Sequence, residues 1–241
     1  GAGHLDGIDA WKNWWTVSED GTSPKHLYFM GKDNIPFHTI IWPALLMGIN
    51  SAQSGSPPSH TPEPGSLALE SNVPANEYLM LQGGQFSKSR RHAVWLPSFL
   101  ERFDPDTLRY YLSINMPESH DTDFRWDEFV DRVNNELIAT YGNFVHRVLT
   151  LAHKLPNDGT NPLTEFDLPD VHSDTWDIVD KHLGEAINSM EHQRFKEALR
   201  SIMNIAQLGN SILQQAAPWK HLDGDDSPEA RDSLSSLALA W

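Results

Sequence analysis

The rhythm of apolar and polar positions changes near residue 121, and the change divides the chain. Before it, short apolar runs alternate with short helical patterns. Leu27-Tyr28-Phe29-Met30 is an apolar run that stops at Gly31-Lys32-Asp33, as a buried strand does at its carboxyl end. Pro36 then predicts the first turn of a helix with Phe37, Ile40, Ile41, Ala44 and Leu45 on one face, and Pro43 within it predicts a kink. Tyr78-Leu79-Met80-Leu81 reads as a second strand that runs into Gly83 and Gly84. A helix is predicted after Pro97, and Asp104-Pro105-Asp106 caps another that carries Leu108, Tyr111 and Leu112.

Beyond residue 121 the pattern is helical throughout. Phe129, Val133, Leu137, Tyr141, Phe144, Val148 and Leu151 recur at three- and four-residue steps and predict one long amphipathic helix, with Glu136, Thr140, Asn143 and Arg147 along a polar face. A loop holding Pro156, Gly159, Pro162 and Pro169 follows. The next helix is capped near Asp174 and is expected to bury Ile178, Leu183, Ile187 and Met190. A third spans about 195–216 through Leu199, Ile202, Ile205, Leu208 and Ile212; Pro218 stops it, and Ser227-Pro228 starts a fourth that runs to Trp241. The fold class is therefore α/β followed by all-α, the second part a helical bundle cut short. Residues 51–66, rich in Ser, Pro and Gly and without apolar periodicity, read as a mobile surface insertion rather than a Pro-rich docking motif.

Composition narrows the function. With 39% hydrophobic residues and nine Trp in 241, most of the chain is expected to fold. No apolar run has membrane-spanning length and no signal-peptide pattern opens the sequence, which favours a soluble, cytoplasmic protein. Zero Cys excludes disulfides and thiolate zinc sites in these residues. The 33 Asp and Glu against 18 Lys and Arg give a net charge of -15, a surface that repels nucleic acid, DNA included, at ordinary salt and would bind it only through local basic patches. Adaptation to a salty cytoplasm, where charges are screened within a few ångströms, would account for such acidity.

One segment breaks the acidity. Residues 85–91 read Gln85-Phe86-Ser87-Lys88-Ser89-Arg90-Arg91, three cations within four positions with hydroxyls on either side of the lysine. Such a loop suits polyphosphate, with backbone N–H groups and hydroxyls donating and the ammonium acting as a point charge; it is equally the composition of a solvated loop. Gly31 and Asp33, just beyond a strand's carboxyl end, sit where a nucleotide ribose binds in open α/β sheets, with Asp33 accepting from a hydroxyl. Asp33 could instead simply cap the following helix. Asn143 and Arg147, four apart on one helix face, can address one ligand; by themselves they read as a solvated face, and Trp219 as a packing residue.

The strings Gly-Lys-Asp-Asn-Ile-Pro-Phe-His at 31–38, Asn-Val-Pro-Ala-Asn-Glu at 72–77, Phe-Ser-Lys-Ser-Arg at 86–90, Leu-Arg-Tyr-Tyr-Leu at 108–112 and Ala-Pro-Trp at 217–219 occur in this order. In that set the chain resembles the methionyl-tRNA synthetases, class I aminoacyl-tRNA synthetases, in their archaeal-type form. The resemblance implies the second half of a Rossmann-type nucleotide-binding domain over 1–102, a connecting segment over 103–120 and a helical-bundle anticodon-binding domain over 121–241. It implies ATP, as its Mg2+ complex, and methionine as substrates, joined through methionyl-adenylate to methionine tRNA. By the same resemblance Lys88, Ser87 and Ser89 are catalytic; Gly31, Asp33, Lys88 and Arg90 hold ATP; Phe37, His38 and Trp42 wall the methionine pocket. Asn143, Arg147 and Trp219 would read the CAU anticodon, the indole ring stacking on a splayed base. A structural histidine is the alternative reading of His38.

The departures are specific. No His-Ile-Gly-His-like signature occurs, and the family's zinc-binding insertion is missing. The chain thus reads as the latter part of a longer enzyme, itself expected to be inactive. Gln85 stands where the signature loop has its first lysine, and Arg91 replaces a small or polar residue. The alternatives are a non-catalytic tRNA-binding module, a degenerate homologue, or a partner-docking scaffold.

Overall fold

The computed structural model of the chain describes residues 9–155, 173–222 and 227–240. It forms two compact units, one of residues 1–78 with 117–121, the other of 79–116 with 122–241. The division differs from the one drawn at 102/103 from sequence, because strand pairing assigns the segment from residue 79 onward to the second unit.

In the first unit a short helix α1 (Lys12–Trp15) leads to strand β1 (Met30–Gly31), which pairs in parallel with β2 (Ala75–Asn76). The helix between them makes this a β-α-β arrangement: a π-helical turn at Phe37–Ile41 continues into α2 (Trp42–Ser54). The strand is shorter and more open than predicted. Only Met30 of the apolar run is buried, whereas Leu27 and Phe29 are 41% and 48% exposed. Pro43, without an N–H, cannot continue a regular ladder, and the expected kink takes the form of the π turn directly before it. The helix also presents the opposite face to its unit. Pro43, Leu46 and Asn50 are buried, while Phe37, Ile40, Ile41 and Leu45 are exposed. Periodicity identified an apolar face, but Asn50 decided the packing: its amide donates to the Leu67 carbonyl and accepts from the Leu67 N–H at 2.9 and 2.8 Å. Segment 51–66 is tied back to the unit at both of its ends. Gly55 (φ 72°) ends α2, and Val17 N–H donates to the Ser66 carbonyl at 2.9 Å while Gly65 N–H donates back to Val17 at 2.8 Å.

The second unit opens with a three-stranded sheet ordered β4-β3-β5. Strands β3 (Leu79–Leu81) and β4 (Gly84–Gln85) form a hairpin over Gln82 and Gly83, both left-handed at φ 50° and 79°, the type I′ geometry that matches strand twist. β5 (Thr122–Phe124) runs parallel to β3. Helices α3 (Leu96–Leu100), α4 (Pro105–Ile114) and α5 (Trp126–Arg132) cover the sheet with a core of Leu81, Phe99, Leu108, Tyr111, Phe124, Phe129 and Val133. Asp104 caps α4 as predicted, accepting from Asp106 N–H at 2.8 Å, but Leu112 is exposed and Tyr110 and Ile114 are buried in its place.

The long helix of the sequence reading is interrupted. A ten-residue π-helical stretch, Val133–Gly142, separates α5 from α6 (Asn143–Lys154), and its wider turns break the 3.6-residue stripe so that Tyr141 is exposed. The loop predicted around Pro156, Gly159, Pro162 and Pro169 lies outside the described residues. Helix α7 (Ser173–Glu191) does not bury Ile178, Leu183, Ile187 and Met190, which are all exposed; Ala186 and Ser189 are buried instead, small side chains that let it lie close to α8 (Phe195–Ala216). α8 likewise buries Ala198, Ser201, Ala206 and Gly209 along with Leu213. A second core of Val148, Leu151, Leu155, Leu213, Leu237 and Ala238 joins α6, α8 and α9 (Pro228–Ala240). Trp241, where the fourth helix was expected to end, is outside the described residues.

Candidate functional site

In the first unit, β1 ends at Gly31 and a 3-10 turn over Lys32–Asn34 carries Asp33 to the surface. A Cβ on Gly31 would meet nothing within 4 Å, so packing within the described residues does not require glycine there. Asp33 Oδ2 accepts from the Tyr78 hydroxyl at 2.5 Å. His38 lies one turn along, its Nδ1–H donating to the Asn34 carbonyl at 3.0 Å, which fixes the ring's orientation. Trp42 Nε1–H donates to the Tyr28 hydroxyl at 3.2 Å, and the Tyr28 and His38 rings are 6.0 Å apart. His38 and Trp42 are thus linked through Tyr28, a residue that sequence reasoning assigned to the strand alone. Phe37 is 56% exposed and makes no ring contact among the described residues.

The basic loop, in the second unit, is a hairpin closed by Ser87 and His92, whose backbone N–H groups and carbonyls pair at 2.9 Å in both directions. Ser87 Oγ lies 3.2 Å from Ser89 Oγ and accepts from Arg90 N–H at 3.3 Å, so the half-buried serine organises the turn from inside. Lys88, Ser89, Arg90 and Arg91 are exposed, and the three cations form no ion pair among the described residues. Arg91 sits at φ 55°, the left-handed conformation that disfavours a branched or long side chain. His92 anchors the loop, its Nε2–H donating to the Leu81 carbonyl at 2.7 Å beside Gly84, where a Cβ would come within 3.1 Å of the ring. Gly84 was legible from sequence as the lead into the loop, whereas the anchoring role of His92 was not.

The helical part brings Asn143, Arg147 and Trp219 together. The Arg147 guanidinium lies 5.6 Å from the Trp219 ring centroid, a cation–π arrangement that leaves the indole 41% exposed. Asn210 supports both polar residues. Its Oδ1 accepts from Asn143 Nδ2 and from Arg147 Nη1 at 3.3 Å each, and its own amide is fixed by donating to the Thr140 carbonyl at 2.9 Å. Gln214 Oε1 accepts from Arg147 Nη2 at 3.4 Å. Trp219 is presented by Ala217, left-handed at φ 47°, and by buried Pro218. Sequence reasoning missed Asn210 and Gln214, although their four-residue step on one helix face is the signal that singled out Asn143 and Arg147.

A Rossmann-like part continued by a helical domain is the architecture of class I aminoacyl-tRNA synthetases. The family model described as tRNA synthetases class I (M) matches residues 4–149, well over half of the chain. The chain belongs to that family. It is 43% identical over 242 aligned positions to a methionine–tRNA ligase of Dehalococcoides mccartyi, covering 97% of this chain and 39% of that one. To the methionine–tRNA ligase of Roseiflexus castenholzii it is 40% identical over 223 positions, covering 92% and 35%. Among solved structures, Mycobacterium tuberculosis methionyl-tRNA synthetase in complex with methionyl-adenylate superposes with a TM-score of 0.68 at 23% identity, over 89% of this chain and 38% of that one, a likeness of fold. The chain spans a little over a third of the length of these relatives.

Proposed function

We propose that these residues serve a methionine–tRNA ligase, contributing the ribose-binding strand end, the adenylate-forming loop and the anticodon reader. The observation that carries this reading is the Asn143–Arg147–Trp219 constellation, three residues on two segments held together through Asn210 and the guanidinium–indole contact. A flat exposed ring beside directional donors is what an unstacked RNA base needs, and the CAU anticodon of methionine tRNA is the base set proposed for it.

The chemistry proposed is two-step. The methionine carboxylate attacks the α-phosphate of ATP, bound as its Mg2+ complex, giving methionyl-adenylate and pyrophosphate; a terminal ribose hydroxyl of the tRNA then displaces AMP. Negative charge concentrates on phosphate oxygens in the first transition state, so preorganised cations are the main device. Lys88, exposed and unpaired by any described carboxylate, supplies it, with Arg90 alongside and Ser87 and Ser89 shaping the loop. Asp33 accepts from the ATP ribose beside Gly31, and Phe37, His38 and Trp42 line the methionine side chain, where aromatic walls suit a polarisable thioether. A cytoplasmic location and a high-salt setting are part of the proposal, on the strength of the net charge of -15; unfolding on dialysis from molar salt would support the latter, and full stability at low salt would sink it.

Filter binding separates catalysis from recognition. In the complete gene product, Trp219→Ala should weaken binding of methionine tRNA by roughly tenfold and erase the preference for a CAU anticodon, while Lys88→Ala should slow adenylate formation and leave tRNA affinity nearly intact. Binding with the expected Trp219 dependence but without methionine activation would favour a non-catalytic tRNA-binding module.

A further inference from the structure

We infer that Tyr78 and Lys32 are positioning residues for Asp33, holding one carboxylate oxygen so that the other is kept for the ribose. The inference rests on the ribose-binding reading of Asp33 given above. The Tyr78 hydroxyl donates to Asp33 Oδ2 at 2.5 Å, and no hydrogen bond within the described residues engages Oδ1. A carboxylate held at one oxygen by a neutral donor keeps its charge and its remaining lone pairs for a second hydroxyl.

Tyr78 is itself fixed from two sides. The Lys32 ammonium stands 4.4 Å from the centroid of its ring, a cation–π contact that ties the two neighbours of Asp33 to one another. Lys32 is held in turn by a hydrogen-bonded ion pair with Glu77 and by Asp121 Oδ1 at 3.6 Å. The same Asp121 oxygen accepts the Tyr78 backbone N–H at 2.9 Å, and Glu77 N–H donates to the Pro117 carbonyl at 2.8 Å. Residues 117–121, distant in sequence, thereby clip the Glu77-Tyr78 pair in place. The Asp33 hydrogen bond raises the phenol above its ordinary value, so the hydroxyl stays a donor throughout the range in which the enzyme would be assayed. Three carboxylates and one ammonium make the cluster net negative. A nucleotide therefore gains nothing there from its phosphates, and a neutral diol is the ligand that fits.

The test uses the complete gene product in methionine-dependent ATP–pyrophosphate exchange, comparing ATP with 2′-deoxy- and 3′-deoxy-ATP. Tyr78→Phe should raise the KM for ATP by roughly five- to tenfold, leave kcat and the KM for methionine within about twofold, and shrink the penalty for deoxy substrates. Lys32→Gln, which leaves the hydroxyl in place, should act in the same direction with a smaller effect. Asp33→Asn is the control for the underlying reading. If it abolishes the deoxy penalty while Tyr78→Phe and Lys32→Gln preserve both penalty and KM, Asp33 binds ribose unaided and the inference is overturned. Should Asp33→Asn itself leave the penalty unchanged, the ribose reading fails and the inference with it. A Tyr78→Phe protein that melts early and loses ATP and methionine affinity alike would overturn the positioning role and assign Tyr78 a structural one only.

Discussion

Gly209 is the residue through which packing and recognition meet, and Gly209→Ala is the sharpest probe of the helical part. A Cβ built there lies 2.3, 2.6 and 2.9 Å from three atoms of the Phe144 ring, distances that no real methyl group tolerates. Phe144 has little room to retreat, because it packs against the core of Val148, Leu151 and Leu213. Overpacking costs about 1–3 kcal/mol, and three contacts under 3.0 Å place this site in the upper part of that range, about 2–3 kcal/mol. Against it stands the gain of about 1 kcal/mol when Ala replaces Gly within a helix. The net expectation is a loss of roughly 1–2 kcal/mol, a fall in melting temperature of about 2–8 °C for a chain of this size. Urea unfolding followed by circular dichroism reads it. Two further consequences follow from geometry: Phe144→Leu in the Gly209→Ala background should recover stability as a coupled pair, and tRNA binding should weaken because Asn210 is the next residue. A Gly209→Ala protein as stable as the parent, or more so, would show that propensity acts unopposed, and the close packing of α6 on α8 would be refuted.

Other outcomes are as definite. Ala217→Gly should raise stability by about 1 kcal/mol in urea titration, since alanine at φ 47° is strained and glycine is not; a fall would contradict the assigned helix end. Asn210→Ala should weaken tRNA binding about fivefold in filter assays through lost alignment of Asn143 and Arg147, and unchanged affinity would leave Asn210 a bystander. The Asp121 carboxyl is held below its ordinary value of 3.8, first by the Tyr78 backbone N–H and further by the Lys32 ammonium. A depressed folded value contributes stability above the unfolded one and loses it as pH falls through the folded one, so the effect lies below pH 3.8. Asp121→Asn should therefore flatten acid unfolding in that window, measured by tryptophan fluorescence, and an unchanged acid limb would argue against the clip at 117–121.

How much of this was readable in the sequence depended on the range of the interaction. Local signals were transparent: the Asp104 cap, the Pro218 stop, the strand at 79–81 and the span of α8 all follow from capping chemistry, proline and periodicity. Which apolar face packs was not local. In α2 the reading chose Phe37, Ile40 and Leu45, yet Asn50 and its two bonds to Leu67 settled the matter. In α7 it chose the large side chains, yet the seam with α8 is made of Ala186 and Ser189, because small residues allow closer helices. The π stretch at Val133–Gly142 has no signature in a 3.6-residue pattern. For the candidate sites, resemblance named the residues proposed to carry chemistry, while their hydrogen-bond partners, Tyr28, Tyr78, His92 and Asn210, come from other segments and only the fold joins them.

Everything proposed for the active site turns on the basic loop as the driver of methionine activation. Methionine-dependent ATP–pyrophosphate exchange by the complete gene product, with and without Lys88→Ala, probes that role at the chemical step. Exchange should proceed with methionine in preference to leucine or isoleucine, slowed on the order of a hundredfold by Lys88→Ala, with tRNA affinity preserved. Exchange that is absent, indifferent to methionine, or as fast without the Lys88 ammonium would show the loop has no such role.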